Sequence, residues 1–207
     1  MTSLQSSILA AALRRACMHA GLGWRDRGDR DVNIVGVRST AAKPNAFDDL
    51  IAACWREGGR WYAHGGVATT EPGVYWLQHP MRVEGTAVLA PGLHVDCWEI
   101  GLHRGAYPAF VQRGPMRVLR DADLDAVVDP PPDSGASEIT GINLHRAREG
   151  GTSTVVDRWS AGCQVYASSI DLDIALDRGR IYVPIHGPRF DYRLLSEKQV
   201  VEALTAE

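Results

Sequence analysis

Apolar residues near the start of the chain recur every three to four positions, as on one face of a helix. This spacing links Leu4, Ile8, Ala11 and Ala12. We therefore predict an amphipathic helix over residues 4–20 that ends at Gly21 or Gly23, because glycine commonly terminates helices. Residues 32–37 alternate with a period of two instead and predict a short strand.

A second helical spacing follows in residues 47–55. Its apolar positions i, i+3, i+4 and i+7 are Phe47, Leu50, Ile51 and Cys54. Asn45 is a suitable N-cap, and Gly58 with Gly59 is a suitable stop. The pattern therefore predicts a second helix here.

From Arg60 onward, short apolar or alternating runs are separated by glycine and proline. Strands are predicted over residues 61–64, 74–77, 86–89, 98–102, 109–112, 116–119, 141–145 and 181–185. Helices are predicted over residues 165–175 and 197–206. Short strands at this spacing are typical of a compact β-sandwich or barrel. We therefore predict an α+β fold that is mainly β, with a small helical N-terminal part (residues 1–59) packed on a β-rich body (residues 60–207).

Charge excludes one class of partner. The 207 residues include 22 basic and 25 acidic side chains, which give a net charge of −3. Nucleic-acid binding needs a basic excess or a dense basic stripe, and the chain has neither, so no nucleic-acid partner is expected. No apolar run is long enough to predict a membrane span. The N-terminal apolar stretch precedes its arginines, the wrong order for a secretory signal, so synthesis in the cytoplasm without a signal peptide is expected.

The four cysteines, Cys17, Cys54, Cys97 and Cys163, are widely spread and contain no C-x-x-C pair. This spacing excludes a zinc ribbon and favours reduced thiols over a disulfide framework. No cofactor and no metal are predicted for the candidate site described next.

Candidate chemistry is concentrated where one β-like run ends at His145 and a second ends in Ser160-Ala161-Gly162-Cys163. A thiolate nucleophile needs a base or a positive neighbour to form near neutral pH. His145 supplies the base if the intervening loop brings the two run ends together. The alternative is a buried cysteine and an unrelated strand-end histidine.

This arrangement resembles the YkuD-like L,D-transpeptidase family, whose signature is a strand-end histidine followed after a loop by Ser-x-Gly-Cys. His145 lies 18 positions before Cys163, within the spread of the family. The segment from Thr69 to Tyr75 resembles the turn that opens into a strand in that family, and Gly141-Ile142 matches the expected glycine before the histidine. The similarity covers about residues 65–170.

The resemblance implies a YkuD-like compact β-sandwich or barrel for the catalytic body, and it implies a set of residue roles. Cys163 becomes the nucleophile and His145 the base, and the backbone carbonyl of Arg146 orients the imidazole. The N–H groups of Gly162 and Cys163 become donors to an oxyanion. A helix N-terminus after Cys163 is expected to lower the pKa of the thiol.

Four residues are assigned to substrate binding. Trp159 is expected to line the cleft, His103 to form a pocket wall, and Ser160 of the motif to lie in the same site. Arg148, with Arg146, could hold a substrate carboxylate or could be a solvated loop arginine.

The chain departs from the family at three positions. Arg146 stands where glycine or serine usually follows the histidine, Ala161 where histidine is common, and Val165 where arginine or asparagine is usual. The last position is associated with the substrate site, so the departures bear on the substrate and the acceptor.

Two other clusters offer metal-ligand chemistry. Asp121, Asp123 and Asp125 have D-x-D-x-D spacing, followed by Asp129, which suits calcium. Ala126 and Pro132 replace the glycine and glutamate of an EF-type loop, so a solvated acidic turn is the favoured interpretation and calcium the alternative. The set His94, Asp96 and His103 has no supporting zinc motif.

The Cys163–His145 pattern predicts a cysteine-dependent acyl-transfer enzyme, and the family resemblance implies that it acts on peptidoglycan stem peptides, as endopeptidase or L,D-transpeptidase. Action in the cell wall or periplasm without a signal fits a phage lysis enzyme or a delivered effector. The alternatives are a catalytically silent binding or structural module and a cysteine hydrolase of an unrelated amide.

Overall fold

The computed structural model describes residues 2–40 and 45–206 as a mixed α/β fold that is mainly β. The strands are β1 (Val32–Arg38), β2 (Asp49–Glu57), β3 (Arg60–Thr69), β4 (Thr86–Leu89), β5 (Gly92–His103), β6 (Tyr107–Gln112), β7 (Met116–Asp121), β8 (Ala136–Glu138), β9 (Leu144–Arg146), β10 (Gln164–Tyr166) and β11 (Phe190–Ser196). The helices are α1 (Ser3–His19), α2 (Val74–Gln78), α3 (Ser169–His186) and α4 (Glu197–Thr205).

Eight strands close into a barrel in the order β1-β11-β5-β6-β9-β10-β3-β2. The β1/β11 and β9/β10 pairs are parallel, and the other pairs are antiparallel. The three remaining strands form a separate sheet in the order β4-β7-β8. The predicted mainly β fold is therefore confirmed, and its body is a barrel.

Helix α3 packs against the inner residues of the barrel. It contacts β1, β2, β3, β5, β6, β9 and β10, and Leu172, Ala175 and Leu176 join the same buried cluster as Phe110 and Tyr192. Side chains from the three-stranded sheet, including Ala87, Leu89, Met116 and Val118, belong to this cluster too. Burial of one shared apolar core holds the barrel, α3 and the small sheet together.

Helices α1 and α4 cover part of the outer surface of the barrel. Leu13 and Cys17 of α1 and Ala203 of α4 pack with Ala52 and Cys54 of β2 in a second buried cluster. The predicted helices over 4–20 and 197–206 are both confirmed. Thr2 and Ser196 cap them, each in a capping box with Gln5 or Gln199.

The predicted helix over 47–55 is wrong, because this segment is strand β2. Ile51 and Ala53 face the core around α3, whereas Ala52 and Cys54 face α1. A strand buried on both faces is a continuous apolar run, and such a run also satisfies a helical template. Asn45 is not an N-cap but a residue with φ of 67°.

Three other element assignments need correction. Residues 74–77 form helix α2 rather than a strand, which also removes the strand expected from the family resemblance. Residues 164–166 form strand β10 before α3 begins at Ser169, so the predicted helix over 165–175 starts too early. Residues 181–185 lie within α3 rather than in a strand.

The proposed division at residue 59 falls in the turn between β2 and β3, which pair along their whole length. Residues 1–59 are therefore not a separate helical part, since β1 and β2 are barrel strands. Among the described helices, none is both long and apolar enough to cross a membrane.

Candidate active site

Strands β9 and β10 bring the two predicted catalytic residues to neighbouring positions. Val165 is paired in parallel with His145, and Cys163 lies two residues before Val165. Leu144 and Tyr166 point into the core, so His145 and its partner Val165 lie on the opposite face. Cys163 itself lies just before β10, and its thiol donates to the carbonyl of Gly141 at 3.4 Å.

Two adjoining cavities open at this end of the strands. Cys163 lines a cavity of about 320 Å³ together with Asn143 and Ala161. His145 lines a cavity of about 270 Å³. His103 and Arg104, at the β5–β6 turn, line both, so the two residues connect the space beside the thiol with the space beside the imidazole.

The hydrogen bonds of His145 identify its tautomer. Its Nδ1 lies 2.8 Å from the carbonyl oxygen of Arg146, which can only accept. Nδ1 therefore carries the proton and Nε2 keeps a free lone pair. The Tyr107 hydroxyl donates to the same carbonyl at 3.2 Å and lies 3.3 Å from Nδ1. The Arg146 carbonyl therefore contacts the imidazole of His145, as the resemblance implies, and Tyr107 contacts both groups.

His103 has the opposite tautomer. The backbone N–H of Gln112 donates to Oδ1 of Asn143 at 2.8 Å, which fixes the orientation of that amide. Nδ2 of Asn143 therefore donates to Nδ1 of His103, at 3.1 Å. The proton of His103 must then lie on Nε2. His103 stacks on His145 with ring centroids 4.1 Å apart, so a hydrogen-bond donor lies next to a base.

Both reactive groups are electrically neutral at pH 7. Burial raises the pKa of the Cys163 thiol above its ordinary 9.0, while a backbone hydrogen bond from Asn143 and the charge of Arg104 oppose the shift. Burial lowers the pKa of His145 to about 3, and His103 acts in the same direction. The resting pair is therefore a thiol and a neutral imidazole. The prediction that a helix N-terminus lowers the pKa of the thiol is wrong, because β10 separates Cys163 from α3.

The Ser160–Cys163 turn is closed by its own hydrogen bonds. Ser160 Oγ donates to the carbonyl of Cys163 at 2.8 Å and accepts from the N–H of Gly162 at 3.2 Å. Ser160 is fully buried, so its assignment to substrate binding is wrong: it shapes the turn. The N–H of Gly162 is likewise engaged within the turn rather than directed at an oxyanion. Gly162 has φ of 116°, and an added Cβ would lie 2.4 Å from the Ala87 carbonyl oxygen.

The other predicted substrate residues lie around the His145 cavity. Trp159 is 43% exposed and lines that cavity with Arg146 and Arg148. The side chain of Arg146 stacks over Tyr107, 4.1 Å from the ring centroid, and pairs with Glu149 at 3.5 Å. Arg148 is exposed.

Sequence reasoning missed Tyr107, Asn143, Arg104 and Gln112. Arg104 has φ of 50° and forms no ion pair with another described residue. Asn143 stands within the Gly141–His145 run, and its place before the histidine was an available signal. Tyr107 and Gln112 come near the site because β6 pairs with β9. This pairing joins distant segments, so no local sequence pattern predicts it.

The remaining cysteines are not part of the site, and of the set His94, Asp96 and His103 only His103 lines its cavities. Cys17, Cys54 and Cys97 are buried, and burial raises the pKa of Cys17 to about 12. His94 is buried with Nε2 3.0 Å from the Ala90 carbonyl. His94, Asp96 and His103 do not converge on a common point in the described part of the chain.

Comparison of the chain with family models, curated proteins and solved structures finds no match. The chemistry of the site therefore has to be inferred from its own geometry.

Proposed function

We propose that the protein is a cysteine-dependent acyl-transfer enzyme that acts on the stem peptides of peptidoglycan, as a YkuD-like endopeptidase or L,D-transpeptidase. One observation supports this most directly. Cys163 and His145 line two cavities that share His103 and Arg104, and Nδ1 of His145 is held by the Arg146 carbonyl, so that Nε2 is left to accept a proton.

The reaction begins when the sulfur of Cys163 attacks the carbonyl carbon of a peptide bond. The thiol proton passes to Nε2 of His145 as the C–S bond forms, because neither group is ionised beforehand. Nε2–H of His103 and the backbone N–H of Cys163 stabilise the oxyanion. The C–N bond then breaks, and the departing amine takes the proton from His145.

The thioester that remains is released by a second attack. Water gives a carboxylate and completes hydrolysis, whereas an amine gives a new peptide bond and completes transfer. Nε2 of His145 accepts the proton of the attacking group. The sulfur of Cys163 then leaves as the C–S bond breaks and takes that proton from Nε2–H. The same residues therefore serve both outcomes, and access of amine or water decides between them.

Arg104 supports a substrate that carries a carboxylate. It lines both cavities and forms no ion pair with another described residue, whereas Arg82 and Arg120 beside it pair with Glu138. Peptidoglycan stem peptides carry several carboxylates, and an arginine binds a carboxylate through two parallel hydrogen bonds. The family usually has a polar residue at the position of Val165, but Val165 is fully buried in this chain. In this proposal Arg104 takes over the substrate contact that the polar residue would make.

The test is digestion of purified peptidoglycan, with the products identified by mass spectrometry. The parent should release or cross-link stem peptides, and Cys163→Ala and His145→Gln should lose at least a hundredfold in rate. The matched control is His79→Gln, an exposed histidine that lines neither cavity. Equal rates for the parent and Cys163→Ala would refute the proposal.

One observation favours a silent binding module as the second candidate. The thiol of Cys163 is neutral, and the N–H of Gly162 is bonded to Ser160 instead of being available to an oxyanion. Both features are those of a site without catalytic activity. If the parent and Cys163→Ala sediment equally with peptidoglycan and neither alters it, binding without catalysis is the function.

A further inference from the structure

Three carboxylates converge at the end of strand β7, and none of them lines the cavities beside Cys163 and His145. One carboxylate oxygen from each of Asp121, Asp123 and Asp129 lies within 4.8 Å of the others. Asp125, which the D-x-D-x-D pattern includes, does not belong to this group; its side chain accepts from the backbone N–H of Val127 at 2.6 Å.

Asp121 is the unusual member of this group. It is only 2% exposed. Its Oδ2 accepts from the backbone N–H of Asp129 at 3.2 Å, whereas its Oδ1 is buried without a hydrogen-bond partner among the described residues. A buried carboxylate oxygen with no partner is costly. The exposed Asp123 and Asp129 lie directly beside it, and their negative charges act with burial to raise its pKa.

Among residues 2–40 and 45–206, no cation pairs with these carboxylates. The arginine nearest along the chain, Arg120, pairs with Glu138 instead. Within the described residues, none of the three aspartates forms an ion pair with arginine, lysine or histidine. Three carboxylates without a cation, one of them buried, complement a divalent metal ion.

We propose that Asp121, Asp123 and Asp129 bind a calcium ion. Oxygen-only donors on an irregular loop suit calcium, which accepts six to eight oxygens in flexible geometry, better than magnesium, which requires a near-ideal octahedron. The three residues occupy positions 1, 3 and 9 of a calcium loop, and Val127 stands at position 7, where such loops contribute a backbone carbonyl. The proposal takes up the calcium alternative of the sequence analysis with a different residue set, in which Asp129 stands in place of Asp125.

The site adjoins a wall of the Cys163 cavity. Asp121 pairs with Thr86 across β7 and β4, and Thr86 with Gly85 lines that cavity. Binding of calcium therefore stabilises the small sheet that supports the site. The inference does not depend on the proposed enzymatic function.

The experiment titrates the full chain at pH 7.5 with CaCl₂, measured by calorimetry and by thermal unfolding. With few carboxylate ligands we expect a Kd of about 10⁻⁴ M, and 10 mM CaCl₂ should raise the Tm by about 5 °C. The double variant Asp123→Asn with Asp129→Asn changes exposed residues only, so it should fold. It should bind calcium at least tenfold more weakly.

The matched control is Asp133→Asn, an exposed aspartate outside the cluster, which should bind as the parent does. Absence of heat and of any Tm change in the parent at 10 mM CaCl₂ would overturn the proposal. Equal binding by the double variant would overturn it too, and an equal Tm rise with MgCl₂ would overturn the assignment to calcium. Activity on peptidoglycan is not measured, so failure here and failure of the proposed enzymatic function are distinguishable.

Discussion

Gln112, the last residue of β6, should be among the most sensitive positions for stability. Its Oε1 accepts from three consecutive backbone N–H groups, those of Thr140, Gly141 and Ile142, at 3.1, 2.7 and 2.8 Å. Its Nε2 donates to the carbonyls of Gly114 and Glu138 at 3.0 and 2.9 Å. The side chain is 4% exposed, so these five bonds lie away from water.

The expected cost follows from these contacts. A hydrogen bond contributes about 1 kcal/mol net, so the five bonds set an upper value of about 5 kcal/mol. Water entering the vacated space satisfies some of the backbone groups. We therefore expect Gln112→Ala to lower the free energy of unfolding by about 3 to 5 kcal/mol, which lowers the Tm by about 10 °C in a chain of this size.

Circular dichroism during thermal and urea unfolding measures both quantities. Gln112→Leu keeps nearly the same volume without hydrogen bonds, so it should be destabilised as strongly as Gln112→Ala. The control Gln78→Ala changes an exposed glutamine and should stay within about 0.5 kcal/mol of the parent. A Tm for Gln112→Leu within 2 °C of the parent value would refute the reasoning.

The same bonds connect stability with the site. Gly141, held by Gln112, offers its carbonyl to the thiol of Cys163 at 3.4 Å. Release of this loop should therefore change the rate at which iodoacetamide alkylates Cys163, even at temperatures where Gln112→Ala is folded. An unchanged rate would mean that the loop does not position the thiol.

Four further outcomes are expected. Because only the thiolate reacts and the pKa of Cys163 is raised above 9.0, alkylation should accelerate about tenfold per pH unit from pH 6 to 9, and a plateau near pH 7 would contradict this. Tyr107→Phe removes the hydroxyl that donates to the Arg146 carbonyl and should lower kcat about tenfold with little change in KM. Gly162→Ala should destabilise the fold by at least about 2 kcal/mol in urea unfolding, because φ is 116° and the new Cβ would meet the Ala87 carbonyl. Arg104→Ala should raise KM for stem peptides about tenfold while Arg104→Lys restores part of the affinity, and an unchanged KM would exclude Arg104 from carboxylate binding.

Local pattern was sufficient for α1 and α4, which each bury one face, and also for β4, which is buried at every position. Helix α1 and strand β4 were predicted near their observed bounds, and so was helix α4. The link between His145 and Cys163 was also available, because residue types at a set spacing carry that hypothesis without a fold. The structure places His145 on β9 and Cys163 immediately before β10, the parallel neighbour of β9.

What only the tertiary structure decided depends on contacts between distant segments. Strand β2 was predicted as a helix because α1 covers its outer face and the core covers its inner face, which removes the alternation that identifies a strand. The tautomers of His103 and His145 follow from Asn143 and the Arg146 carbonyl, and the support from Gln112 follows from long-range pairing. A one-dimensional pattern records which residues are apolar, whereas barrel closure determines which distant polar groups meet.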